Sequence, residues 1–471
     1  DGSSVKYDPE VIGEGAMKDV CFTKDKSSVV CFFKDNATAT DPQRMSRLEA
    51  VLGKYNPTTD TKTGDYFKKL FCWPSGIILK PKLGILAPTY PSNYFFASGP
   101  WKGKEKKGNW FVRSFPSGKY FRDMLPEAER GSWVNYFKIC ILLARAIRRL
   151  HQAGLAHSDL SCNNVLIDPS TGQCIVIDID SLVVPGIFPP DVVGTPGYIA
   201  PEVLATLRLP INDPKRKHPS SLTDQHALGV LLYEYLIQRH PLKGPQTFAA
   251  NSGEEQEMLE MGSKALYIEH PTNKANRPPN LTITSAALGS ILADLFRRTF
   301  IEGLHEPNKR PTASEWEKGL VKTWDMLHPC SNPKCSSQWI IIEDQKSLKC
   351  PFCNTRHSGD IPVIKFRREG QGSSGQGKWY ADGQLVVYHN LGLYKWHVYD
   401  NIFPGELADR TRQGYFIFHQ GQWLLVNENM NSLLSPSGKP VPPGQAIALK
   451  DGLQFRMAQE NHGRVAEIQI L

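Results

Sequence analysis

The run His157-Ser158-Asp159-Leu160-Ser161-Cys162-Asn163-Asn164, with Asp178-Ile179-Asp180 fourteen residues after its end, decides how this chain of 471 residues reads. Asp159 and Asn164 stand five apart in what reads as a short loop. The apolar run Ile175-Val176-Ile177 before Asp178 reads as a buried strand. Phosphoryl transfer from a nucleotide needs such a set: one carboxylate to orient the attacking hydroxyl, and a carboxylate with an amide to hold Mg2+ on the phosphates.

Outward from this centre, Gly194-Thr195-Pro196-Gly197-Tyr198-Ile199-Ala200-Pro201-Glu202 follows, and Ile12-Gly13-Glu14-Gly15-Ala16-Met17-Lys18-Asp19-Val20 lies far upstream. Glycines let a backbone approach phosphates closely, although a plain β-turn is the commoner use of such a stretch. A strand, Cys31-Phe32-Phe33-Lys34, comes next, its lysine fourteen residues after Val20. The order and spacing resemble the protein-kinase signature set, over Val11 to about Leu327.

The resemblance implies an α+β bilobal protein-kinase-like fold and carries roles onto matching positions. Gly13, Gly15 and Val20 match the phosphate loop, and Lys34 the strand lysine on the α- and β-phosphates of ATP. A surface lysine at the strand edge is the plainer reading of Lys34. Glu49, the glutamate of the helix expected over Pro42 to Leu52, matches its carboxylate partner. Asp159 matches the catalytic-loop aspartate, and Asn164 and Asp178 the Mg2+ ligands. Glu202 with Arg310, and Asp224 beneath the catalytic loop, match structural positions of the family.

Four positions depart from the pattern: Lys18 replaces the third glycine, Ser158 the arginine before the catalytic aspartate, Ser161 a lysine, and Asp180 a glycine. Loss of the arginine removes the cation that docks an activation-loop phosphate, so activity is expected not to depend on one. Loss of the lysine removes a charge that steadies the γ-phosphate. Pro185, Pro189 and Pro190 stiffen the short segment from Asp180 to Thr195.

The composition, 40% apolar and 22% charged, is that of a globular protein of two to four units. A net charge of +8 is spread along the chain; its densest runs, Lys102–Lys107 and Lys215–His218, read as solvated loops, so nucleic acid is not an expected partner. No apolar run reaches the ~18–20 residues of a membrane helix. No signal-peptide pattern opens the chain, which starts at Asp1 rather than Met.

Cys330-x4-Cys335-x14-Cys350-x2-Cys353 gives two close pairs across a hairpin-sized gap and resembles a zinc ribbon. Four thiolates complete a tetrahedral Zn2+ shell, so the metal is expected to be structural. Four reduced cysteines or two disulfides are the alternatives. The other six cysteines are scattered, which favours a reducing, cytoplasmic setting. Short aromatic and β-branched runs after the linker Gly370–Gly377 predict an all-β sandwich, with strands at Leu385–Tyr388, Tyr415–Phe418, Trp423–Val426, Ala446–Leu449, Leu453–Met457 and Val465–Leu471. Gly414 to Met457 resembles part of a forkhead-associated (FHA) domain; Arg410 and Arg412 are its candidate anion contacts, though surface arginines are the plainer reading.

The expected division is 1–95 N-lobe, 96–328 C-lobe, 329–358 zinc ribbon, 359–378 linker and 379–471 FHA-like sandwich. This order, with Trp73-Pro74, resembles the bacterial serine/threonine kinases of tellurium-resistance systems, which implies a cognate phosphatase and a von Willebrand A-domain protein as partners beside a protein substrate. The expected function is an ATP- and Mg2+-dependent serine/threonine kinase. A pseudokinase scaffold is the alternative, motivated by the departures at residues 18, 158, 161 and 180. A small-molecule kinase of related fold is disfavoured by Ala200-Pro201-Glu202, part of a peptide platform in the family.

Overall fold

The computed structural model describes residues 2–14, 17–34, 43–112, 121–190, 192, 194–370 and 377–471. Gly15 of the phosphate loop and most of the linker Gly370–Gly377 lie outside the described residues. The chain divides into two compact units, Asp1–Ser285 with Leu292–Lys318, and Ala286–Ile291 with Gly319–Leu471.

The first unit opens with a five-stranded antiparallel sheet in the order β1-β2-β3-β5-β4: β1 (Tyr7–Glu14), β2 (Lys18–Thr23), β3 (Ser28–Phe33), β4 (Gly76–Ile78) and β5 (Gly84–Pro88). Helix α1 (Arg44–Leu52) covers one face of the sheet, where its Leu48 packs with Cys31, Phe33 and Ile85. The rest of the unit is helical. Helix α2 (Trp133–Gln152) buries Trp133, Phe137, Cys140, Ala144, Ile147 and Leu150 at helical spacing. It packs on α3 (Ser221–Ile237), which is buried nearly all round, as its mostly apolar sequence favours. Two further helices, Gly289–Arg297 and Ala313–Trp324, belong to this unit over 292–297 and 313–318.

A hairpin of β6 (Val165–Asp168) and β7 (Gln173–Val176) joins the helical part to the sheet side through Cys72 N, which donates to Val176 O at 2.9 Å. Arg310, fully buried, donates to both carboxylate oxygens of Glu202 at 2.7 Å and to the carbonyls of Gly303, Leu222 and Leu304. This is the pair expected from the sequence. Such a fork closes the lower half around the segment that carries Gly194 to Glu202.

In the second unit, two four-stranded sheets enclose one core. The first runs β11-β10-β17-β16 and the second β12-β13-β14-β15. Their strands are β10 (Pro362–Glu369), β11 (Trp379–Val386), β12 (Gly392–Tyr394), β13 (Arg412–His419), β14 (Gln422–Asn427), β15 (Ala446–Ala448), β16 (Gln454–Arg456) and β17 (Val465–Ile470). Phe366, Leu385, Phe416, Leu425, Ile447, Phe455 and Ile468 interlock between them. Five of the expected strands lie within or across β13 to β17, and the expected Leu385–Tyr388 overlaps the end of β11.

Two expectations need correction. Residues 359–378 are not simply a linker: β10 is a central strand paired with β11 and β17. The first unit also does not extend to residue 328, because β8 (Leu327–Pro329) pairs with β9 (Trp339–Ile341) and Asp325 O accepts from Val386 N. Apolar alternation in Pro362–Glu369 is short and runs into three charged residues, Arg367, Arg368 and Glu369, which masked its period.

Candidate active site and metal centre

The loop between α2 and β6 is held from below. Asp224 on α3 accepts from the backbone N–H of His157 at 2.7 Å and lies 3.0 Å from His151 Nε2. His157 Nε2 lies 2.9 Å from the carbonyl of Ile177, just before Asp178. Ile177 N in turn donates to Asn164 O at 3.0 Å. The loop and the strand end that bear the three expected residues are thus stitched to one another.

Asp159 Oδ1 accepts from Thr195 N at 2.7 Å and Thr195 Oγ1 at 2.9 Å; Thr195 Oγ1 also lies 3.1 Å from Ser161 Oγ. The approach is opened by Gly194, whose φ of +95° is a conformation that a side chain would strain. Burial pushes the Asp159 carboxyl above its ordinary range, against the Thr195 hydrogen bonds, and the Asp178 charge adds to the rise. Asn164 Nδ2 donates to the carbonyl and the carboxylate of Asp159, at 2.8 and 3.0 Å. That use of the nitrogen leaves the amide oxygen free for a hard cation. Carboxylate and amide oxygens are the donor set that Mg2+ prefers, so Asn164 and Asp178 fit it. The sequence-derived trio therefore converges.

Lys34 and Glu49 do not join it. In an antiparallel ladder, directly opposed residues share a face. Lys18 opposes Phe33 and Val20 opposes Cys31, so these four share one face, with Ile85 opposite Cys31. This is the face that packs against Leu48 of α1. Asp19 opposes Phe32 on the other face. Lys34 continues that alternation, and its Nζ lies 3.3 Å from Asp19 Oδ1. Glu49 is exposed, whereas Arg47 and Leu48 are the buried residues of its turn. At roughly 100° per residue, Glu49 lies about 200° round the helix from Arg47. Gly13 opposes Val20 at the end of β1.

The cation that does face Asp178 is Lys18. Its Nζ lies 2.6 Å from Asp178 Oδ1 and 2.7 Å from Asp180 Oδ1. Burial alone would depress this ammonium, but the Asp180 and Asp178 carboxylates hold it well above its ordinary range. Asp180 is itself buried, and burial raises its carboxyl despite Lys18. For Asp178 the ammonium outweighs burial and the carboxyl is lowered. Asp178 sits in the left-handed region, at φ 63° and ψ 39°. Sequence reading treated Lys18 only as a lost glycine. The signal that finds it is parity, counted across the hairpin from Lys18 to Phe33.

Below this site, Glu234 on α3 accepts a hydrogen bond from Tyr198 OH. Burial pushes its carboxyl from 4.5 to about 7, against Tyr198 and the Lys243 ammonium. The folded chain therefore keeps this proton to higher pH than the unfolded chain does. The group's contribution to stability is full below about pH 4.5 and is lost as pH rises through about 7. Glu234→Gln is expected to flatten that slope and to stabilise the fold at pH 8 by on the order of 2–3 kcal/mol. Urea unfolding at pH 5 and pH 8 measures it; parallel pH dependences for the two proteins would contradict the assignment.

In the second unit, the Sγ atoms of Cys330, Cys335, Cys350 and Cys353 all lie within 4.8 Å of one another. Cys330 and Cys353 are 3.6 Å apart and Cys335 and Cys350 3.7 Å. A tetrahedron with Zn–S bonds of about 2.3 Å has edges of about 3.8 Å, whereas a disulfide needs about 2.0 Å. The four thiols fit a tetrahedral metal. Gln338 and Asn354, at φ 59° and 62°, turn the chain beside each pair.

Residues 104–319 match the protein kinase domain family. This part of the chain is similar to the protein kinase domain. Serine/threonine-protein kinase MRCK gamma of Homo sapiens is 32% identical over 230 residues, 46% of this chain and 13% of that protein. Serine/threonine-protein kinase RAD53 of Saccharomyces cerevisiae is 29% identical over 192 residues, 39% of this chain and 20% of its own length. Serine/threonine-protein kinase PknD of Chlamydia felis is 28% identical over 159 residues, 29% of this chain and 15% of its own length. The chain thus spans a fifth or less of each of these relatives. The matched residues include Asp159, Asn164, Asp178 and Asp180, while Lys18 and Lys34 precede them.

Proposed function

We propose that the chain is an ATP- and Mg2+-dependent serine/threonine protein kinase. The observation that carries this reading is the convergence of Asp159, Asn164 and Asp178, with Thr195 bonded to Asp159. Asp159 accepts the proton of the attacking hydroxyl and holds that oxygen in line. Asn164 and Asp178 hold Mg2+, which neutralises charge on the phosphates. Gly13 and Val20 form part of the wall over the nucleotide, with Gly15 as the expected second glycine.

The second unit is read as a zinc ribbon, held by Cys330, Cys335, Cys350 and Cys353, and an FHA-like sandwich that recruits partner proteins. Arg412 is engaged by Glu428 across two contacts, which favours partner binding over phosphopeptide capture as the statement for this face. The domain order supports a bacterial kinase of the tellurium-resistance type, with a cognate phosphatase and a von Willebrand A-domain protein as partners. Thiols placed for a metal rather than for disulfides fit the reducing cytoplasm.

Incubation of the full chain with labelled ATP, Mg2+ and candidate partner proteins tests the reading. Transfer to the chain itself or to a partner is expected, falling by about 10²–10⁴-fold in Asp159→Ala. Undiminished labelling in that variant would remove it. The pseudokinase alternative is favoured by one observation, the tie of Lys18 to Asp178. It predicts nucleotide binding without transfer to any partner.

A further inference from the structure

We propose that Lys18, and not Lys34, is the cation that grips the α- and β-phosphates of the nucleotide, with buried Asp180 as its fixed counter-charge. This rests on the nucleotide-binding part of the reading above.

Three independent observations lead here. Strand register puts Lys18 on the sheet face that looks at Asp178, and Lys34 on the opposite face with Asp19. The helix glutamate that would brace a lysine at position 34 is exposed on α1. Asp180, which stands where the family has glycine, braces Lys18 instead at 2.7 Å. The two departures from the family pattern thus compensate each other: a cation gained at the start of β2 and a carboxylate gained after Asp178. An ammonium reaching from β2 lies at the end of the phosphate loop itself, where nucleotide phosphates would take over its contact with Asp178. Compact and rotatable, its three donors suit phosphate oxygens. Asp180 keeps one side of the ammonium anchored while Asp178 turns to its metal.

The test uses the full chain and measures ADP, AMP and adenosine binding by calorimetry, with Mg2+ present for ADP, beside phosphoryl transfer. Lys18→Met is expected to weaken ADP by about ten- to hundredfold and to leave adenosine within about twofold of wild type. Lys34→Met is expected to change neither. Because Lys18→Met leaves two carboxylates facing each other, Lys18→Met with Asp180→Asn is measured too. This pair lacks the surplus charge, and it should fold and show the same selective loss of ADP. Equal losses of adenosine and ADP would mark a collapsed cleft and overturn the proposal. So would unchanged ADP affinity in Lys18→Met, a loss carried by Lys34→Met, or a wild-type chain that binds no ADP. A wild type that binds ADP through Lys18 yet transfers phosphate to no protein would support this proposal while removing the kinase reading.

Discussion

Replacing Asp178 by asparagine will cut phosphoryl transfer by about 10²–10³-fold and leave the fold standing. The backbone accepts the change, because asparagine tolerates the left-handed φ of 63° that Asp178 adopts. Ser181 Oγ donates to the Asp178 carbonyl, a bond that the substitution keeps. The buried ammonium of Lys18 is not orphaned, since Asp180 remains 2.7 Å away. The charge offered to the metal disappears, and with it one of the two carboxylates that face Lys18. The loss should therefore appear as a much higher Mg2+ requirement and a lower rate, with Mg2+-free adenosine binding unchanged. Labelled-ATP assays across a Mg2+ titration give the first quantity and calorimetry the second. Wild-type rates at ordinary Mg2+ would remove Asp178 from the metal site. Asp180→Asn acts differently: it leaves the metal ligand and loosens Lys18.

The second large effect concerns zinc. Cys350 and Cys335 are buried, and their thiols stand at tetrahedral-edge spacing. Cys350→Ser is expected to abolish tight Zn2+ binding, a loss on the order of 10 kcal/mol of metal-coupled folding free energy. The damage should stay local. The segment that carries the four cysteines leans on the sandwich through Tyr388, whose ring meets Trp339 at 5.3 Å and His328 at 6.2 Å. The sandwich core, from Ile364 to Ile468, contains none of the four cysteines. Hydrogen exchange should thus show lost protection over 327–357 and retained protection in β13 and β14. Metal analysis should show about one Zn2+ per wild-type chain and none in the variant. Full Zn2+ content in Cys350→Ser would contradict the site, and global unfolding would contradict its independence from the core.

What could be read beforehand followed the physics of each signal. Asp159, Asn164 and Asp178 were legible because a short loop and an adjoining strand fix their separation along the chain. The Arg310–Glu202 pair was legible for a similar reason, from short motifs around each partner. The sandwich strands β13 to β17 were legible because one face is dry and the other wet, which imprints a period of two. Lys34 misled because Val29-Val30-Cys31-Phe32-Phe33 is apolar at every position. Such a run declares a strand and hides its phase, so nothing local says which face a lysine at its end will take. Val30 is indeed as buried as its neighbours on the other face. Only pairing with β2 settles the phase. Glu49 misled because a nine-residue helix with a single acidic residue offers one candidate whichever way it turns. Strand β10 was missed because Gly370–Gly377, rich in glycine and serine, placed the start of the sandwich too late, beyond Pro362–Glu369.

The face shared by Lys18 and Cys31 has a pharmacological consequence. Burial pushes the Cys31 thiol up to about 12, and that of Cys72 likewise. At neutral pH only about 10⁻⁵ of either side chain is thiolate, the form that attacks an electrophile. Alkylating warheads aimed at this wall would meet inert sulfur. A compound that discriminates this chain from kinases with their ammonium on β3 would have to reach Lys18 on β2, through an anionic or aldehyde group.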